Sequence, residues 1–127
     1  MSSWVLDSSA ILAVSFQEPG RDFVAGRLSG SLLSTVNLQE VLEKYGERNL
    51  PTIGAVRRIE QLQVRIVPYS AGHAEIAASL KPVCQPHRVS LADRACLALA
   101  KEFGLPVLTA DKDWKSIPHG VEVELIR

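Results

Sequence analysis

Four acidic residues are candidates for a metal-binding site: Asp7, Glu40, Asp93 and Asp111. Their ligand atoms would all be carboxylate oxygens, which suit hard ions such as Mg²⁺ and Mn²⁺. An ion held in this way can activate water for in-line attack on phosphorus and can offset the negative charge of a phosphate. Converging carboxylates also repel each other, so at least one pKa should rise unless a cation is present. The residue types therefore indicate metal-assisted hydrolysis of a phosphate ester, provided that the fold brings these residues together.

Two of the four acids follow short apolar runs that are predicted to be strands. Asp7 follows residues 4–6 directly, and Asp111 follows residues 106–109 almost directly. In open parallel sheets, ligands bind beyond the carboxyl ends of the strands, which is where both side chains would lie. Either Asp could instead cap a helix, a role in which Asp stabilises by about 1 kcal/mol. The pattern alone leaves both interpretations open.

Asp93 opens a strongly apolar helix. The spacing from Ser90 to Asp93 resembles a capping box, although Glu or Gln is the usual residue at the second position. A helical wheel also places Asp93 on the same side as Cys96, Leu97 and Ala100. Because a carboxylate on an apolar face is costly to bury without compensation, this position favours a bound cation over a purely structural role.

Glu40 is the acid that the sequence pattern supports least. Its helix carries an apolar stripe, and Glu40 lies opposite that stripe among other charged residues. The pattern therefore favours a solvated helix face for Glu40. Only its position shortly after the second predicted strand could bring it to the cleft. The stripe consists of Leu38, Val41, Leu42 and Tyr45.

Short apolar runs alternate with longer helical patterns along the chain. Strands that are separated by helices need crossover connections, which predict a mostly parallel sheet covered on both faces. Residues 81–89 contain two prolines and are predicted to form a loop. The predicted strands cover residues 4–6, 32–35, 64–67, 106–109 and 121–126, and the predicted helices begin near residue 10 and cover 21–28, 36–48, 51–63, 71–80 and 90–103.

Length and composition fit an ordinary globular protein. With 127 residues, 46% of them hydrophobic and 22% charged, the chain is expected to form one domain over residues 1–127. Its formal net charge of zero argues against nucleic-acid binding by bulk electrostatics, so such a partner would need a local basic patch or a metal. Cys84 and Cys96 do not suggest a disulfide framework. Without a leader or a long apolar run, we expect a soluble cytoplasmic protein with no membrane partner.

The chain resembles the PIN-domain family, and most closely its VapC-type toxins of toxin–antitoxin pairs. The matching segments cover residues 5–9, 37–41, 90–93 and 104–114, which read VLDSS, NLQEV, SLAD and GLPVLTADKDW. Their order and spacing extend the resemblance over essentially the whole chain. The resemblance implies a three-layer α/β/α sandwich with a mostly parallel sheet of about five strands. It also implies that Asp7, Glu40, Asp93 and Asp111 converge on Mg²⁺ or Mn²⁺, and so makes Glu40 a metal ligand.

The same resemblance implies further residues and partners. Asp113 matches a variable extra acid and would be an auxiliary ligand, while Ser8 and Thr109 match hydroxyl positions that support the site. The implied reaction is endonucleolytic cleavage of RNA, such as tRNA or another structured RNA, by metal-activated water. The implied partners are a cognate antitoxin protein and a second copy of the chain in a homodimer. Candidates for phosphate contacts near the acids are Arg88, Lys112 and Lys115.

Two alternatives remain open at this point. A non-catalytic PIN-like module could bind protein or RNA without turnover, although all four acids are present. A phosphatase of the haloacid dehalogenase type would use Asp7 as its nucleophile, but it would carry a second Asp where this chain has Ser9. The chain also contains no G-x-S-x-G elbow, P-loop or dinucleotide fingerprint that would supply another kind of chemistry.

Overall fold

A five-stranded parallel sheet forms the centre of the computed structural model, which describes residues 2–127. The strands lie in the order β3-β2-β1-β4-β5, so β1 is central, with Val5 paired to Leu32 on one side and Val107 on the other. The strands are β1 (Val5–Leu6), β2 (Leu32–Ser34), β3 (Arg65–Val67), β4 (Val107–Thr109) and β5 (Val123–Leu125). The helices are α1 (Ser8–Ser15), α2 (Arg21–Ala25), α3 (Thr35–Glu47), α4 (Ala55–Gln61), α5 (Ala71–Cys84) and α6 (Leu91–Phe103), with a 3-10 helix at Lys112–Ser116.

Each face of the sheet carries its own hydrophobic core. Successive strand residues point to opposite faces, so Val5 packs with α5 and α6, whereas Leu6 packs with α1 to α4. Val107 and Leu108 divide in the same way between the two cores. Helices therefore cover both faces of the sheet, which confirms the predicted three-layer α/β/α sandwich and makes its sheet entirely parallel.

Of the helices described, α6 has the longest run of consecutive buried residues. Six consecutive residues, Ala95 to Ala100, are buried because α6 packs on the sheet with one face and on α3 and α5 with the others. Ser90 and Asp93 form a capping box at its start, and Gly104 ends it in the left-handed conformation that glycine tolerates. These ends match the sequence prediction. Among the helices of residues 2–127, none has the length and apolar character needed to cross a membrane.

Besides the end of α2, which lies at Ala25 rather than near Leu28, two predicted helix ends are wrong. The helix α5 continues through Pro82 to Cys84, within the segment predicted as a loop, because Leu80 and Cys84 are buried in the core that α5 shares with α6. Tertiary packing there outweighs the tendency of proline to end a helix. The helix α4 begins at Ala55 rather than near Pro51, since Gly54 precedes it with a φ of 81°. Neither difference changes the segments that carry the four acids.

Candidate active site

The fold brings the four acids to the carboxyl edge of the sheet by three routes. Asp7 and Asp111 follow the neighbouring strands β1 and β4, Glu40 lies in the second turn of α3, and Asp93 lies in the first turn of α6. Burial is the largest cause of the raised pKa values of Asp7 and Asp93. The charges of Asp93 and Glu40 also raise the pKa of Asp7, and those of Glu40 and Asp111 also raise the pKa of Asp93. Each acid therefore lies within electrostatic range of at least one other, as an acidic cluster requires.

Asp7 lies deepest in this cluster. Its side chain is 5% exposed, and burial raises the pKa of Asp7 from 3.8 to about 6, against the opposing effect of its hydrogen bonds. Its Oδ2 accepts hydrogen bonds from the hydroxyls of Ser9 at 2.7 Å and Thr109 at 2.9 Å. Its Oδ1 is buried and has no hydrogen-bond partner anywhere in the described chain. Asp7 thus presents one fixed oxygen and one free oxygen.

The two hydroxyls that hold Asp7 also hold the loop that carries Asp111. The Ser9 hydroxyl accepts a hydrogen bond from the backbone N–H of Ala110 at 3.0 Å, and the Thr109 hydroxyl accepts one from the backbone N–H of Asp111 at 3.1 Å. Asp7 and Asp111 are therefore linked through two short hydrogen-bonded paths. Such paths orient ligand side chains without contacting the ligand themselves.

The supporting hydroxyl next to Asp7 differs from the one expected. Ser8 is the first residue of α1 and makes no hydrogen bond to Asp7, whereas Ser9 does. The sequence gives little indication of this role for Ser9. Its position, two residues after Asp7, is a motif position only in the phosphatase alternative. Thr109 is fully buried and contacts Asp7 directly, as expected for a supporting residue.

The capping alternatives have different outcomes for the three aspartates. Asp7 precedes α1, but its side chain makes no capping hydrogen bond. Asp93 does cap α6, since its Oδ2 accepts from the backbone N–H of Ser90 at 3.0 Å. Asp111 caps the 3-10 helix by accepting from the N–H of Asp113 at 3.0 Å. Capping therefore accounts for one oxygen each of Asp93 and Asp111 and for none of Asp7.

The surroundings of Asp93 disfavour its ionised form despite the capping hydrogen bonds. Burial is the largest cause of its raised pKa, and the hydrogen bonds from Ser90 only partly offset that effect. Cys96 lies on α6, about one turn after Asp93. Burial, together with the charges of Asp7, Asp93 and Glu40, raises the pKa of its thiol well above the ordinary value.

Glu40 is half-buried, so the periodicity-based assignment to a solvated face is wrong. Its Oε1 accepts a hydrogen bond at 3.1 Å from the side-chain amide of Asn37, which lies one turn earlier and is fully buried. At this turn the buried face of α3 is therefore wider than its apolar stripe, because it also includes the polar residue Asn37, which faces α6. A helical wheel that counts only apolar residues cannot detect this widening.

The remaining predicted site residues lie on the outside of the cluster. Asp113 is exposed beside Asp111 in the 3-10 helix. Lys112 and Lys115 are exposed on the same short helix, and Arg88 is exposed in the loop before α6. These three cations are free to meet a phosphate near the acids, although none contributes to the hydrogen-bonded network around Asp7.

The donor atoms fit a hard divalent cation, although their side chains are not closed around one. Across residues 2–127, no three His, Cys, Asp or Glu side chains stand close enough together to form a ready-made metal site. The free, buried Oδ1 of Asp7 is the strongest sign of fit, because a buried carboxylate oxygen without a partner is costly unless a cation compensates it. The exclusively oxygen donor set also suits Mg²⁺ or Mn²⁺.

Comparison with known proteins assigns the fold to a family. The model of the family described as PIN domain matches residues 4–120. The chain belongs to the PIN domain family. No curated protein sequence matches the chain. The family assignment agrees with the parallel sheet and with the acids at its carboxyl edge.

Solved structures share the fold of this PIN domain at low sequence identity. A toxin–antitoxin complex from Klebsiella pneumoniae superposes with a TM-score of 0.73 at 18% identity, covering 100% of this chain and 98% of the other. FitAcB from Neisseria gonorrhoeae gives 0.70 at 22% identity, covering 97% and 96%. VapC20 from Mycobacterium tuberculosis, a toxin that cleaves the sarcin–ricin loop, gives 0.72 at 17% identity, covering 91% and 94%. At these identities the likeness shows the fold alone.

Proposed function

We propose that this PIN domain is a metal-dependent endoribonuclease and the toxin of a toxin–antitoxin pair. The observation that carries the proposal is the buried carboxylate of Asp7, whose Oδ1 has no partner in the described chain and whose pKa is raised to about 6 beside other acids. Similar folds occur in toxin–antitoxin complexes and in a toxin that cleaves the sarcin–ricin loop, an RNA element. These similarities favour RNA, such as tRNA or another structured RNA, as the substrate. A cytoplasmic location stays a prediction from the sequence.

In this proposal the acids bind the ion and the surrounding residues fix the acids. The ligands would be Asp7, Glu40, Asp93 and Asp111, with Asp113 as an auxiliary ligand. When bound, Mg²⁺ or Mn²⁺ supplies activation of water and neutralisation of phosphate charge. Ser9 and Thr109 keep Oδ2 of Asp7 occupied, which leaves Oδ1 as its binding atom. The exposed cations Arg88, Lys112 and Lys115 would contact RNA phosphates beside the cleft.

Metal-dependent RNA cleavage is the direct test. The pure chain, incubated with a mixed pool of tRNA and messenger RNA, is expected to produce discrete cuts with Mg²⁺ or Mn²⁺. The cuts should disappear with EDTA and return when excess Mn²⁺ is added, because the carboxylates cannot act on phosphate without a cation. Cut positions are read by primer extension.

Each other outcome contradicts part of the proposal. Cleavage that persists in EDTA would exclude the metal-dependent mechanism. No cleavage by antitoxin-free protein would favour the non-catalytic binding module, and hydrolysis of p-nitrophenyl phosphate instead of RNA would favour a phosphatase.

The proposed antitoxin would bind an apolar surface away from the acids. A groove of about 430 Å³ lies between α1, α3 and α4, and its lining includes none of the four acids. Large apolar residues on α4 and in the segments on either side of it are exposed, and exposed apolar patches mark protein contacts. Beside them, Arg57 and Arg58 form no ion pair within residues 2–127, which favours a partner segment with apolar and acidic side chains. These exposed residues are Leu50, Ile53, Val56 and Leu62, of which Leu62 lines the groove.

Substitution of Ile53 tests this surface. Ile53 is 89% exposed and lies shortly before Ala55, which lines the groove, so Ile53→Glu should leave the fold intact while adding a charge to this apolar segment. In the complex with the antitoxin, the change is expected to weaken binding at least about 10-fold, since a like charge faces acidic residues and an apolar contact is lost. Titration calorimetry measures the affinity.

Val83→Glu on α5 is the control, because it adds the same charge to an exposed apolar residue on a different helix. Equal effects of the two changes would exclude the groove as the docking surface. Sedimentation of the chain alone checks the proposed homodimer.

A further inference from the structure

A buried amide joins the two helices that carry Glu40 and Asp93. The side chain of Asn37 is fully buried in the first turn of α3. Its Nδ2 donates hydrogen bonds to Oε1 of Glu40 and to the backbone oxygen of Ala92, both at 3.1 Å. Ala92 directly precedes Asp93 in the first turn of α6. One side chain therefore contacts the Glu40 carboxylate and the turn that presents Asp93.

The orientation of this amide follows from its neighbours. The backbone oxygen of Ala92 can only accept hydrogen bonds, and an ionised Glu40 carboxylate also only accepts. The NH₂ group of Asn37 must therefore face both of them, and the opposite orientation would place oxygen against oxygen. The two N–H bonds of one rigid, planar group thus fix Glu40 relative to the start of α6.

Fold stability alone does not explain an asparagine at this position. The Oδ1 of Asn37 is buried without a hydrogen-bond partner within residues 2–127. An unpartnered buried polar atom destabilises the folded state, and an apolar residue of similar size would avoid that cost. The Ala92 oxygen would keep its intrahelical hydrogen bond, and the half-buried Glu40 could turn to water. The polar group therefore needs a role other than packing.

We propose that Asn37 is a positioning residue that holds the Glu40 carboxylate in the cleft at a fixed distance from Asp93. This inference rests on the proposed metal-dependent function and adds a residue to it. Asn37 does not contact the ion or the RNA in this proposal. It acts by preventing Glu40 from turning to solvent, as residues behind metal ligands commonly do.

Mn²⁺ affinity, measured without RNA from the electron paramagnetic resonance signal of free Mn²⁺, tests the proposal. Asn37→Leu is expected to weaken Mn²⁺ binding about 10- to 100-fold, the range typical for loss of a partner behind a metal ligand. The matched control is Thr35→Val, in the same helical turn. It removes the hydrogen bond that the Thr35 hydroxyl accepts from the N–H of Tyr69 at 3.0 Å, a contact that involves none of the four acids. The control is expected to change Mn²⁺ affinity less than about 3-fold, because Thr35 shares no hydrogen bond with Glu40, Asp93 or Asn37.

A double-mutant cycle separates positioning from a general loss of structure. If Asn37 acts through Glu40, Asn37→Leu should weaken Mn²⁺ binding in the wild-type background and have no further effect in a Glu40→Ala background. If the effects of Asn37→Leu and Glu40→Ala on Mn²⁺ affinity add in full, or if Asn37→Leu binds Mn²⁺ as tightly as the wild type, the inference is overturned and the proposed function still stands. A wild-type protein that binds no Mn²⁺ would overturn both.

A second variant covers the case in which Asn37→Leu does not fold. Asn37→Ala removes the same two hydrogen bonds without adding volume, and the cycle is then run with it. A third measurement leaves Asn37 in place: the ¹⁵N resonance of its NH₂ group should shift on addition of Mg²⁺ in the wild type. The same resonance should shift clearly less in Glu40→Ala at a Mg²⁺ concentration that saturates this variant, and an equal shift there would contradict coupling through Glu40.

Discussion

Replacing Asp7 or Asp93 with Asn is expected to lower metal-dependent RNA cleavage by at least about 100-fold, beyond the range seen for residues that only support metal ligands. Asn has nearly the same shape as Asp but cannot offer a charged oxygen to the ion. Both variants should remain folded. In Asp93→Asn the amide oxygen can still accept from Ser90, and in Asp7→Asn it can still accept from Ser9 and Thr109. Single-turnover cleavage rates and thermal unfolding by circular dichroism measure the two properties.

Asp22→Asn is the matched control for these variants. Asp22 is an exposed acid on α2, so its replacement changes the net charge by the same amount without touching the acidic cluster. Cleavage by the control should match that of the wild type. If Asp7→Asn and Asp93→Asn instead unfold, the two carboxylates are structural, and if both retain full activity the proposed site is wrong. Equal losses in all three variants would indicate a bulk charge effect.

The layered fold could be predicted because its signals are local. Alternating apolar runs and helical patterns located all five strands, and the crossover rule made the sheet parallel. Ser90 and Gly104 marked the ends of α6 because capping depends on nearest neighbours in sequence. The end of α5 could not be predicted in this way. Its last turn passes through Pro82 and is held by the burial of Leu80 and Cys84, which depends on contacts with α6.

The candidate site could be predicted only in part from the sequence, because part of it also depends on contacts between distant segments. Asp7 and Asp111 could be placed because each follows a strand, and strand ends share one edge of the sheet. Glu40 could not be placed by periodicity, because its orientation depends on Asn37, a buried polar residue that hydrophobicity patterns do not distinguish. The role of Ser9 depends on a hydrogen bond to Ala110, 101 positions away in the sequence. Contacts over such separations follow from the assembled fold.

Asp7→Asn is also expected to stabilise the metal-free protein at high pH, and this effect distinguishes a buried metal ligand from a structural carboxylate. The pKa of Asp7 is about 6 in the folded protein against an ordinary value of 3.8, so the folded state binds the proton more tightly. The stability that comes from this proton is fully present below pH 3.8 and is lost as the pH rises through 6. At pH 8 the ionised Asp7 therefore costs up to about 3 kcal/mol. Asn removes this charge and keeps only the cost of a neutral NH₂ group without a partner at the position of Oδ1.

Urea unfolding in EDTA, at pH values from 4 to 8, measures this difference. The free energy of unfolding of Asp7→Asn should exceed that of the wild type by up to about 3 kcal/mol at pH 8 and approach it near pH 4. Asp22→Asn, which replaces an exposed acid, should follow the wild type throughout. Saturating Mg²⁺ should then stabilise the wild type and not Asp7→Asn, because only a ligand that binds the folded state raises its stability. A variant that is less stable than the wild type at pH 8 would mean that the folded state depends on the Asp7 charge. The unpartnered Oδ1 would then reflect a structural requirement instead of a binding site.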